Sequence, residues 1–218
     1  VEGLAGEPAY AEAFEQQVGS IGAALRSLPD SDEVTVLRGD EASRDAVLGK
    51  LGELQSVLAD SDRFMLVLVG HGSYDDFEYK FNLPGPDITG EEIVAALDAL
   101  PATTQVLVNT SSASGAIAEL AAADGRTVVL ATRSGVERHA TRFGGFFADA
   151  LTDGAADTNK NERISVTEAF RYAERQVADY YERNGQLATE HPVLDGGQAD
   201  RVALAQLGGA PPAVADEG

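Results

Sequence analysis

The chain has 218 residues, 44% of them apolar, enough for one full-sized domain with a substantial core. Its net charge of −20 and pI of about 4.3 speak against nucleic acid or an anionic membrane as partner, and for solubility, basic partners or bound cations. Without cysteine it has no disulfide, thiolate metal site or cysteine nucleophile, and no apolar run is long enough to span a bilayer.

Val1-Glu-Gly-Leu-Ala-Gly6 begins without Met and reads as the inside or end of a first strand, in a processed product or a domain of a longer chain. Glu7 to Leu28 carries Tyr10, Phe14, Val18, Ile21 and Leu25 at helical spacing, and Pro29-Asp-Ser-Asp32 ends it with turn residues. Val34 to Leu37 predicts a short strand, and Asp40 the N-cap of a helix over Glu41 to Leu58. Arg63 to Val69 is apolar without alternation, as in a strand covered on both faces. A polar loop, Ser73 to Phe77, leads to Glu78 to Asn82, which alternates like an edge strand. After a turn at Leu83 to Asp87, Thr89 and Glu92 have capping-box spacing for a helix that Pro101 stops.

A buried strand from Gln105 ends in Asn109-Thr-Ser-Ser-Ala-Ser-Gly115, followed by a helix from about Ala116 to Ala123. Arg126 to Thr132 predicts another buried strand, Arg133 to Ala140 a loop, and Phe143 to Leu151 a helix with Phe146 and Phe147 turned inward. A long helix reaches about Arg183, where Asn184-Gly185 stops it. Strand and helix alternate throughout. This predicts a three-layer α/β sandwich, a mostly parallel sheet with helices on both faces, over residues 1–207, with 208–218 as tail or linker.

Open sheets of this kind bind ligands beyond the carboxyl ends of their strands. Two such ends carry chemistry here: His71-Gly72 after one strand, and the hydroxyl cluster with Ser112 and Ser114 after the next. Ser and Thr at such a place also serve as ordinary helix caps.

The order Val69-Gly-His71-Gly72, then Phe81 to Thr89 and its helix, then Thr110-Ser-Ser112-Ala-Ser114-Gly115 resembles the caspase–metacaspase–legumain superfamily of cysteine endopeptidases, with legumain closest. In that group one strand ends in His-Gly and the next in an acidic-small-Cys-x-Ser-Gly motif. The resemblance runs from about Val34 to Ala150. It implies a caspase-like fold, His71 as general base, the Gly72 amide in an oxyanion hole and Ser112 in the nucleophile's place. Thr110 falls where metacaspases and legumain carry the pocket acid, with Ser114 and Arg133 near the substrate; the charged loop Arg133 to Arg142, with His139, would line the groove. Shifting the match by one residue would give Asn109 and Ser111 those roles without restoring a Cys.

Both departures bear on the chemistry. A thiol ionises readily beside a His, whereas a serine hydroxyl needs a base held by a third group. The preferred expectation is a peptidase homologue without ordinary peptidase activity that keeps a peptide- or protein-binding role, with other domains of a longer chain as further partners. Three alternatives stand beside it. One is an active cysteine endopeptidase with its nucleophile changed to Ser112. Another is a serine hydrolase using Ser114 with His191 and Asp153 or Asp157, although the nucleophile-elbow glycines are replaced by Ser112 and Ala116. The third is a calcium-stabilised structural module.

That third alternative rests on Asp157 to Glu168. Asp157, Asn159, Asn161, Ser165 and Glu168 offer oxygens at EF-hand positions one, three, five, nine and twelve; the Arg163 carbonyl stands at seven and apolar Ile164 at eight. Glu162 replaces the usual glycine at six, at a cost of order 1 kcal/mol, and the two neutral Asn weaken the pull on Ca2+. Ser165 with Glu168 would also form a plain capping box.

Overall fold

In the computed structural model, which describes residues 1–29, 31 and 33–208, helix α1 (Pro8–Arg26) starts on a proline, whose missing amide is no loss in a first turn. Helix α2 (Arg44–Val57) is capped by the Ser43 side chain, which accepts from the Ala46 amide. Asp40 lies instead in a 3-10 turn, Gly39–Ala42, and is not the cap. Residues 34–37, expected as a strand, are in no ladder. Asp30 and Asp32 of the expected turn, and 209–218 of the expected tail, lie outside the described residues.

Next come β1 (Arg63–Leu68), β2 (Gly72–Tyr74), β3 (Tyr79–Phe81) and β4 (Ile88–Thr89). β2, β3 and β4 form a small antiparallel sheet with β3 in the middle, so the expected loop begins as a strand and the expected edge strand is internal. Alternation misplaced it because Tyr79 and Phe81 are buried whichever strand is central. Helix α3 (Gly90–Asp98) has the expected capping box, Thr89 with Glu92.

β5 (Thr104–Asn109) leads through a 3-10 turn, Ser114–Ile117, into the single-turn α4 (Ala118–Ala121), shorter than expected. Then follow β6 (Arg126–Leu130), α5 (Phe143–Ala150), β7 (Arg163–Ser165), α6 (Val166–Arg183), β8 (Val193–Asp195) and β9 (Ala203–Gln206). The main sheet runs β1-β5-β6-β8, parallel except for β8; β7 and β9 pair apart from it.

The layers follow from side-chain alternation. Val106, Val108 and Val129 face α1, α5 and α6, while Leu66, Leu68, Leu107 and Leu130 face α2 and α3. The chain is therefore a mixed α/β three-layer sandwich with a mostly parallel sheet, and the strand ends after β1, β5 and β6 share one edge.

Candidate functional site at the strand ends

β1 and β5 are parallel, with Leu68 opposite Asn109, so the residues following them emerge together. Gly72 meets Ser112 there. The Ser112 hydroxyl donates to the Gly72 carbonyl at 2.9 Å, and the Gly72 amide donates back to Ser112 Oγ at 3.4 Å. A methyl on Gly72 would stand 2.5 Å from the Ser112 carbonyl, so only glycine lets the two segments cross.

His71 turns the other way. Its ring packs edge-on against Tyr10 and Phe14 of α1, at 4.6 and 5.0 Å between centroids. Burial lowers its pKa and so favours the neutral imidazole, opposed by a bond to the Ala5 backbone and by the Glu7 charge. Among the described residues, no hydrogen bond joins His71 to Ser112. The two expected partners share an edge, but Ser112 is 4% exposed and spends its hydrogen bonds on Gly72.

Thr110 is buried, its hydroxyl on the Leu68 carbonyl at 3.0 Å and its carbonyl on the Thr141 hydroxyl at 2.6 Å. Asn109 and Ser111 belong to a closed network around Tyr79. The Asn109 amide donates to the Tyr79 phenol at 2.9 Å, which lies 2.7 Å from Ser111 Oγ. Burial pushes the Tyr79 phenol up to about 12. These hydroxyls hold β3 against the turn.

Ser114 is fully buried, with its oxygen 3.2 Å from the Thr132 amide and within reach of the Thr132 hydroxyl, so it clasps the β5 turn to the end of β6. Nor does it act as a helix cap: Ala113, before it, is left-handed with φ 57° and sends its amide to the Glu137 carbonyl. The expected Ser114 triad is not assembled. His191 binds Glu137; Asp153 accepts the Tyr172 phenol at 2.7 Å; Asp157 accepts amides of its own loop.

Two acids on this rim carried no sequence signal. Glu137 gathers the Arg133 and His191 amides at 3.0 and 3.2 Å, and His191 Nδ1 at 2.5 Å. Arg133 pairs with the same carboxylate while its side chain stays largely exposed. Glu190, buried, accepts the Arg142 and Phe143 amides and so caps α5 from across the chain. His139 is exposed.

The acidic loop has its own geometry. Lys160 and Glu162 are left-handed, at φ 58° and 62°, so Glu162 takes the conformation that glycine usually supplies at position six. Asp157 accepts the Asn161 and Glu162 amides at 3.1 and 2.9 Å. Glu168 reaches back to the Thr158 amide at 3.1 Å while also bonding Ser165, so the expected capping box forms at that residue. Arg163 and Ser165 lie in β7. Among the described residues, no three His, Cys, Asp or Glu side chains group as metal ligands; of the six expected calcium ligands only Asp157 and Glu168 are carboxylates, the others being the Asn159 and Asn161 amides, the Arg163 carbonyl and the Ser165 hydroxyl.

No family model matches the sequence, and no curated protein matches it. Among solved structures the chain is similar to protein GSU0716 from Geobacter sulfurreducens, with a TM-score of 0.60 and 14% identity over 89% of each chain. That likeness shows the shared α/β fold and nothing of its chemistry.

Proposed function

We propose that this chain is a caspase- or legumain-like peptidase homologue that has lost catalysis and retains a peptide- or protein-binding role at its strand-end rim. One observation carries the reading. Ser112, in the nucleophile's place, is buried and bonded to Gly72 in both directions, while His71 is held by Tyr10, Phe14 and Ala5. A hydroxyl without a base on its oxygen is a poor nucleophile. Where the pocket acid would be needed, the Thr110 hydroxyl is buried against Leu68. The test is Ser112→Cys, assayed on peptides with a scissile bond after Arg, Lys or Asn. The expected result is no turnover above the unsubstituted chain. Strong cleavage would instead favour an endopeptidase whose nucleophile has been changed.

A second reading is supported by the backbone of the acidic loop: Asp157 to Glu168 binds Ca2+, weakly, as a structural element. Asp157, Asn159, Asn161, the Arg163 carbonyl, Ser165 and Glu168 would supply the oxygens. The left-handed Lys160 and Glu162 and the two amides donated to Asp157 favour it. Calorimetric titration is expected to give a millimolar-range isotherm that Glu168→Gln abolishes, with a rise in Tm that saturates alongside it. No heat and no thermal shift would dispose of the site.

A further inference from the structure

The two sides of the main sheet differ. β5 and β6 are buried almost throughout, but Phe64, Met65 and Val67 of β1 are only half-buried. Beside β1 lies a cavity of about 540 Å³. It opens in the plane of the sheet: Val18, Ile21 and Leu25 of α1 line one face, Leu51 and Leu54 of α2 the other. Its far wall is the extended segment 33–37.

The mouth of this slot is already occupied. Val1 to Gly3 pair in parallel with the end of β1: the Val1 nitrogen donates to the Val67 carbonyl at 2.8 Å, the Val69 amide to the Val1 carbonyl at 3.0 Å, and the Gly3 amide to the Val69 carbonyl at 2.8 Å. On the other side the Glu2 amide donates to the Leu37 carbonyl at 2.9 Å. One strand therefore fits between β1 and residues 33–37, bonded to both. Behind Val1 the two edges still face each other. The Leu68 carbonyl is used by Thr110 of the β5 side, so alternation turns the groups of Met65 and the amide of Val67 toward the slot. Among the described residues these have no partner across that edge.

We propose that the slot is the seat of an extended aliphatic β-strand, joined to the Val1 nitrogen by a peptide bond and running parallel to β1 between it and residues 33–37. Its residues would send alternate side chains to the apolar faces of α1 and α2, so a near-continuous Val/Ile run fits and an alternating polar one does not. The strand would complete the ladder begun by Val1 to Gly3. This does not depend on the peptidase reading.

The test compares three chains: the 218-residue chain itself, the same chain preceded by six Val/Ile/Thr residues, and the same chain preceded by six Gly/Ser residues. Amide exchange at Met65 and Val67 is expected to slow at least tenfold with the aliphatic extension and to be unchanged with the Gly/Ser one. Thermal unfolding should rise with the first alone. Unchanged exchange at Met65 and Val67 with the aliphatic extension would overturn the proposal. Equal protection by the Gly/Ser extension would overturn it as well. So would retention by the aliphatic chain of an apolar dye bound in the cavity.

Discussion

Glu190→Ala is expected to destabilise the fold by about 2–6 kcal/mol, roughly 1–3 kcal/mol for each of the two buried amides left unpaired. Glu190 is 1% exposed. Its carboxylate takes the Arg142 amide at 2.8 and 3.0 Å, the Phe143 amide at 3.0 Å and the Tyr181 phenol at 3.2 Å. The two amides open α5 and have no side-chain cap of their own, so alanine would leave them buried and unpaired. Phe143 is fully buried, which keeps water from replacing the acid easily. Urea unfolding followed by circular dichroism reads the loss directly, and Glu190→Gln should fall between, since it keeps one acceptor oxygen. The pH dependence separates charge from hydrogen bonding. Burial raises the Glu190 pKa against the pull of the Arg142 and Phe143 amides. The folded chain thus holds this proton to higher pH than the unfolded chain. The corresponding stability is present below the ordinary carboxyl range and is lost as pH rises through the raised pKa. Stability of the native chain relative to Glu190→Gln should therefore fall across that window; a flat difference would mean that the carboxyl is not shifted.

Glu190 also shows where sequence reading stops. The layers were legible because buried parallel strands write themselves as apolar runs: Arg63 to Leu68, Gln105 to Asn109 and Arg126 to Leu130 all fall within the expected strands. Capping boxes were legible because they are local, as at Thr89 and Ser165. Glu190 caps a helix 47 residues earlier in the chain, and Glu137 gathers His191 from 54 residues away; neither leaves a pattern at its own position. β8 and β9 were missed for a related reason: at three and four residues they are too short for a period to appear. At the site, His71 and Ser112 were placed on the right edge by strand order alone. Their separate contacts were set by Tyr10 and Phe14 of α1 and the Ala5 backbone for His71, and by Gly72 for Ser112, and nothing in the two motifs encodes them. The loop at Asp157 was the reverse case: Glu162 broke the glycine rule in the sequence, yet the backbone adopts the left-handed turn regardless.

Gly115→Ala should have the other large effect, a loss of roughly 4 kcal/mol or more, at the upper end for overpacking. Gly115 needs no left-handed backbone. Its constraint is space: a Cβ there would stand 2.1 Å from the Ser134 nitrogen and 2.2 Å from the Arg133 carbonyl carbon. Both are main chain, so no rotamer change relieves the clash. The turn after β5 and the loop after β6 would have to separate. That breaks the bonds that join them, Gly115 amide to Thr132 Oγ1 at 2.9 Å and Thr132 amide to Ser114 Oγ at 3.2 Å. Gly49, in the middle of α2, supplies the control, since nothing lies within 4 Å of its absent Cβ. Gly49→Ala adds the same methyl without a clash and should raise stability by about 0.5–1 kcal/mol through helix propensity. The sign difference between two identical chemical changes isolates the backbone contact. Should Gly115→Ala prove as harmless as Gly49→Ala, the two strand-end loops do not touch, and the rim that Ser112, Glu137 and His191 share would not exist as a single surface.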